Sequence, residues 1–203
     1  MANTKISALT ALTAAGTATD DEIAIVDTSV TTTKKQTIAQ ARISFGPQLG
    51  TEQASTSGTS IDFTGIPAGV KRITVMLDGV STNGSTEVRI QIGDSGGFEI
   101  SGYVTSSDTT VGSLLGSDDQ TDGWHFRLTA TAAVTITGVL VLTLMDTSNT
   151  WIGQGLFTSR GAGAVEVGRT VGSKTLSAEL TQIRITANGT DTFDAGAINI
   201  SYE

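Results

Sequence analysis

A chain of 203 residues has room for one domain of ordinary size and an appendage. Its net charge of -8, with only 12 Lys and Arg spread along the chain, excludes a phosphate-tracking nucleic-acid surface, and the absence of cysteine excludes disulfides and thiolate metal sites. With 24 glycines, 2 prolines and a polar set dominated by Thr and Ser, the body is predicted to be nearly all β, since Thr favours strands and Gly favours tight turns.

The first 45 residues carry apolar patches only two or three residues deep, set among Thr, Ala and Ser. Ordering a backbone residue costs about 1–2 kcal/mol, and patches of this size offset little of it, so the segment is expected to be disordered alone and to order on a partner. The residues expected to meet that partner are Lys5, Ile6, Leu9, Leu12, Ile23, Ile25, Val26, Lys34 and Lys35. Thr37–Ile43 has the pattern of one or two helical turns with Thr37 as cap. Gly and Pro in Phe45–Gly50 then mark a hinge, which separates an arm, residues 1–46, from a body, residues 47–203. Thr51–Gly58 reads as a polar linker.

From Ser60 the pattern turns to period-two alternation. It is plain in Ser60–Thr64, Arg72–Leu77, Glu87–Ile92, Trp124–Leu128, Val134–Thr137, Val139–Leu144, Gln182–Thr186 and Ala197–Tyr202. Turn signals separate these runs at Gly65–Gly69, Thr82–Ser85, Asp94–Gly97, Asp122–Gly123 and Asn188–Gly189. About eight to ten short strands with regular turns predict a two-sheet, jelly-roll-like β-sandwich preceded by an extended N-terminal arm. No repeat of solenoid length is visible. No basic-then-apolar leader opens the chain, and its longest apolar run, Val139–Met145, is strand-length and broken by Thr143, so a soluble chain with no secretion or membrane signal is expected.

Several segments imitate catalytic or ligand-binding motifs. Gly93-Asp94-Ser95-Gly96-Gly97 satisfies two serine-hydrolase patterns, G-D-S-G-G and G-x-S-x-G. The first needs a His before the Ser, yet the single His is His125; the second needs a following helix, yet Phe98–Tyr103 reads as a strand. Ser95 is therefore expected to be a hairpin residue, and no catalytic residue is expected. Asp118–Gly123 opens like a calcium loop, but Thr129 stands where the bidentate carboxylate belongs, which favours an acidic turn. Gly79–Thr86 has phosphate-loop spacing without the Lys. His125 alternates with Trp124 and Phe126 and has no second His or Cys for a metal, so neither metal nor cofactor is expected. The sequons at Asn83 and Asn188 read as turns. Trp124, Trp151, Tyr103 and Tyr202 are the large amphipathic rings, and Trp124 and Trp151 are the candidate sugar-stacking ones, against the competing expectation that rings this scarce belong to the core.

The opening Lys5-Ile6-Ser7-Ala8-Leu9, the acidic Asp20-Asp21-Glu22, the Ile25-Val26-Asp27-Thr28-Ser29 turn and the Thr33-Lys34-Lys35 close resemble the N-terminal modules of tailed-phage fibre, head-fibre and capsid-decoration proteins. Ser57–Pro67, Val70–Val75, Gly79–Gly84 and Gln91–Gly97 are similar to a body domain recurrent among phage tail and prophage fibre proteins. The resemblance implies a non-enzymatic virion subunit, a short fibre or cement protein, docked through its arm on capsid or tail proteins and assembled as a homotrimer. A tail-fibre protein that recognises a host-surface glycan is the alternative it implies.

Overall fold

The computed structural model describes residues 22–27, 32–37, 46–111, 114–126, 134–161 and 164–203; residues 22–27, 32–37, 110–111, 114–118 and 164 are described by backbone alone. The chain divides into two units, Met1–Gln48 and Leu49–Glu203. In the first unit, β1 (Glu22–Asp27) and β2 (Thr32–Thr37) form an antiparallel hairpin, with Ile25 opposite Lys34 and Ala24 opposite Lys35. A segment expected to be disordered alone, apart from helical turns at Thr37–Ile43, thus contains a pair of strands. The physical reason is local: the alternating Glu22–Asp27 run is β-branched at three of its six positions, and four residues suffice to bring Thr32 back opposite Asp27. The expected helical turn lies outside the described residues except for Thr37, which ends β2.

The second unit is an all-β sandwich of antiparallel strands. Its strands follow β3 (Gln48–Leu49) at the junction of the units: β4 (Gln53–Ala54), β5 (Ser60–Thr64), β6 (Arg72–Thr82), β7 (Val88–Asp94), β8 (Gly97–Phe98), β9 (Val104–Val111), β10 (Leu114–Gln120), β11 (Trp124–Phe126), β12 (Thr135–Leu144), β13 (Thr150–Gly161), β14 (Ala164–Thr175), β15 (Gln182–Ala187) and β16 (Phe193–Tyr202). The larger sheet runs β10-β9-β14-β13-β12-β6-β16, with β4 also on β16; the smaller runs β11-β7-β15-β5, with β8 on β7. The chain crosses repeatedly between the sheets, as in a jelly roll, except that β12, β13 and β14 form one uninterrupted meander of 10–12-residue strands.

Alternation directs the core. Ile61, Phe63, Ile90, Ile92, Trp124, Phe126, Ile183 and Ile185 line the inner face of the smaller sheet, and Ile73, Val75, Leu77, Leu140, Leu142, Trp151, Phe157 and Ile200 line that of the larger. Tyr103 meets Trp124 edge-on at 5.2 Å between ring centroids, and Phe126 packs on Phe157 at 4.8 Å. The rings need room, and glycines on the facing strands supply it. A Cβ on Gly153 would stand 2.5 Å from the Trp124 indole, and one on Gly168 would collide with the Phe157 ring.

The runs Val134–Thr137 and Val139–Leu144 are one strand, β12, because Gly138 pairs across the sheet instead of turning. The stretch Phe98–Tyr103 contributes only Phe98 to a two-residue strand; Glu99 N–H still donates to Ile92 O at 3.0 Å, and beyond it the chain leaves the sheet. The expected run Trp124–Leu128 is strand as far as Phe126, its last two residues lying outside the described residues. Strands β9, β13 and β14 had no clear alternating apolar signature, because many of their inward positions hold Thr, Ser and Gly, as at Thr105, Ser107 and Thr109 of β9, Gly153 and Ser159 of β13 and Gly168 and Thr170 of β14.

Candidate functional site

The densest group of titratable side chains lies on the outer face of the smaller sheet, where β11 pairs with β7. His125 is opposite Arg89 in register and points away from Trp124 and Phe126, as alternation requires, yet it is only 1% exposed. Its Nδ1 is 2.9 Å from Glu87 Oε2 and its Nε2 is 2.7 Å from Asp122 Oδ1, while the second Asp122 oxygen takes the Arg89 guanidinium. Burial alone pushes the imidazole toward the neutral form, but the two carboxylates at its ring nitrogens outweigh this and raise its pKa above the usual value. Both ring nitrogens face carboxylate oxygens, an arrangement that favours the imidazolium form. His125 ties the β11 edge to β7, and in its charged form it has no lone pair to act as a base.

Ser95 sits exposed at the tip of the β7–β8 hairpin, with Asp94 opposite Gly97 in register. Asp94 is buried and accepts bonds from Gly96 N at 2.8 Å, Ser177 Oγ at 2.6 Å and Ala178 N at 2.9 Å. The Ser177 hydroxyl, then the Gly96 amide, hold its carboxyl below the usual range against the opposing effect of burial. The G-D-S-G-G segment is therefore an Asx-type turn bracing the β14–β15 connection. The acidic segment after it is also structural: Asp118 and Asp119 belong to strand β10 instead of a turn, and Asp122 is committed to His125 and Arg89.

Trp124 is fully buried and Trp151 is 2% exposed, so the expectation that these rings stack on sugars is corrected. Each sits at an inward position of its strand and fills the space between the sheets, which leaves no ring face for a ligand. Tyr103 is equally buried: its hydroxyl accepts from Ile92 N at 2.9 Å and reaches Glu99 O at 3.0 Å, and burial pushes its pKa up. Of the residues expected to meet a partner, Lys5, Ile6, Leu9 and Leu12 lie outside the described residues. Ile23, Ile25 and Val26 fall on β1, and Lys34 and Lys35 on β2.

No family model, curated protein or solved structure matches this chain. The outer faces of the two sheets differ sharply. On the smaller sheet Arg184 holds Asp62 in a two-pronged pair at 2.8 and 2.7 Å and lies over the Phe98 ring at 4.0 Å, a polar face fitted to water. On the larger sheet Val139, Ile152, Leu156, Val165, Val167 and Val171 project outward from β12, β13 and β14 with 40–62% of their surface exposed. Register places Leu156 beside Val139 on one side and Arg169 on the other, and Val171 beside Gln154, so the apolar groups form one surface. Sequence reasoning missed this surface. Its signal was present as Val165-x-Val167-x-Arg169-x-Val171, but with Gly168 between them no residue marked which side of the strand is inside.

Clefts of about 440 Å³ at the β4–β5–β16 end and about 290 Å³ between β9 and β14 are lined by side chains already paired, Asp62 with Arg184 and Asp108 with Arg169. Among the described residues no group of three or more His, Cys, Asp and Glu is arranged to hold a metal ion, and no helix is long and apolar enough to cross a membrane.

Proposed function

We propose that this chain is a non-enzymatic structural subunit of a tailed-phage virion, a cement or short-fibre protein that works as a homotrimer. Residues 1–46 dock it on capsid or tail proteins, and the β-sandwich is displayed. The observation that carries this reading is the division of the chain into a rigid sandwich whose one dense charge cluster is internally neutralised and a separate N-terminal unit of small apolar patches. The resemblance of that N-terminal segment and of Ser57–Gly97 to phage fibre and decoration proteins supports the same role. A glycan-binding role for the body finds less support, since Trp124, Trp151 and Tyr103 are core residues.

Deleting residues 1–46 tests docking. The truncated chain is expected to keep the far-UV spectrum of a β-sandwich and to be absent from purified particles that incorporate the full chain. Normal incorporation would overturn the docking role.

A further inference from the structure

We infer that the outer face of β12–β13–β14 is the surface through which copies of this chain associate, each copy packing this face against the same sheet of its neighbours. This deepens the proposed function and rests on its self-association part.

Three observations lead to a second copy as the occupant. The first is area. At their observed exposures, Val139, Ile152, Leu156, Val165, Val167 and Val171 present roughly 500 Å² of apolar surface, near the upper end of the 300–600 Å² that monomers expose. A standard interface covers about 800 Å² per partner, a little over half of it apolar, so the patch matches the apolar share of one such face.

The second is charge. The chain carries 20 Asp and Glu, yet the one acid on β12, β13 or β14 is Glu166, which is turned inward and 3% exposed. Arg169 is neutralised by Asp108 on the neighbouring strand at 2.8 Å. Two copies of a chain of net charge -8 repel wherever their acidic surfaces approach, and this face brings them together without opposing carboxylates. The outward charges on this face are Arg169, paired with Asp108, and Arg160 near the end of β13, beside Val165.

The third is the contrast with the smaller sheet, whose outer face is occupied by the Arg184–Asp62 pair and the His125 cluster. The sandwich thus has one polar outer face and one that is apolar over β12–β14.

The test uses the purified full chain and no phage particles, so its failure and a failure of particle docking are separate results. Light scattering at about 50 µM is expected to give a multiple of 20.8 kDa. Leu156→Asp combined with Val167→Asp is expected to give the monomer mass with an unchanged far-UV spectrum and a cooperative melt. A monomeric wild type, or a variant that keeps the oligomer mass, overturns the proposal. If the charged variant fails to fold, single cysteines in this cysteine-free chain decide. Leu156→Cys should resist maleimide at high protein concentration and react at least tenfold faster on dilution, whereas exposed Thr64→Cys on the smaller sheet should react equally at both. Equal reactivity of the Leu156→Cys thiol at both concentrations overturns the assignment.

Discussion

His125 shows how a residue that looks chemical in a sequence becomes structural in a fold. Glu87 and Asp122 flank its two ring nitrogens in a site only 1% exposed, and its folded-state pKa lies above the unfolded value of about 6.5. A raised pKa means that the cluster's contribution to stability is complete below the unfolded pKa and is lost as pH rises through the folded one. Wild-type melting temperature is therefore expected to fall as pH rises above the unfolded value of about 6.5, and that of His125→Gln, which cannot take the charge, should fall less. Equal slopes in calorimetry of the two proteins would contradict the ion cluster. The lone His was legible in the sequence, and so was its place opposite Trp124. Its partners were not, because Glu87 lies 38 residues away and meets His125 only through β7–β11 pairing.

At the scale of an element, β13 inverts the usual reading of a strand. Its inward positions are Trp151, Gly153, Gly155, Phe157 and Ser159, and its outward ones include Ile152 and Leu156. A pattern scan that takes the more apolar side as buried cannot tell these sides apart, since glycine has no side chain to score. The glycines are inside because the rings are large: Gly153 faces the Trp124 indole and Gly168 of β14 faces Phe157. Gly153→Ala is expected to cost about 1–3 kcal/mol by overpacking, read as a lower denaturant midpoint at unchanged slope. The same substitution in a Trp124→Phe background should cost less, because the smaller ring frees the space. An equal cost in both backgrounds would show that the indole is not what the new methyl meets.

For the whole molecule, charge and apolar surface act against each other. Each copy carries -8, so association through an apolar face is opposed at long range by repulsion between copies. Raising ionic strength from about 0.02 M to about 0.3 M shortens the screening length from about 20 Å to about 6 Å, so it should tighten self-association in sedimentation velocity. An association that weakens over this range would point to complementary charges and away from the β12–β14 face.

Several features of this protein were decided by its sequence alone. Thr-rich and Gly-rich composition, period-two alternation at Ser60–Thr64, Arg72–Leu77 and Gln182–Thr186, and Gly-containing turns between them specify antiparallel strands stacked in two layers, because both signals are local in the chain. Tertiary structure decided the rest. It made Trp124 and Trp151 core instead of ligand contacts, joined Glu87, His125 and Asp122 into one ion cluster, and turned the valines of β14 outward. Each of these depends on which strand lies opposite which. The fits of Trp124 against Gly153 between the sheets and of Phe157 against Gly168 on the paired strand are relations of this kind, between residues that no local pattern brings together.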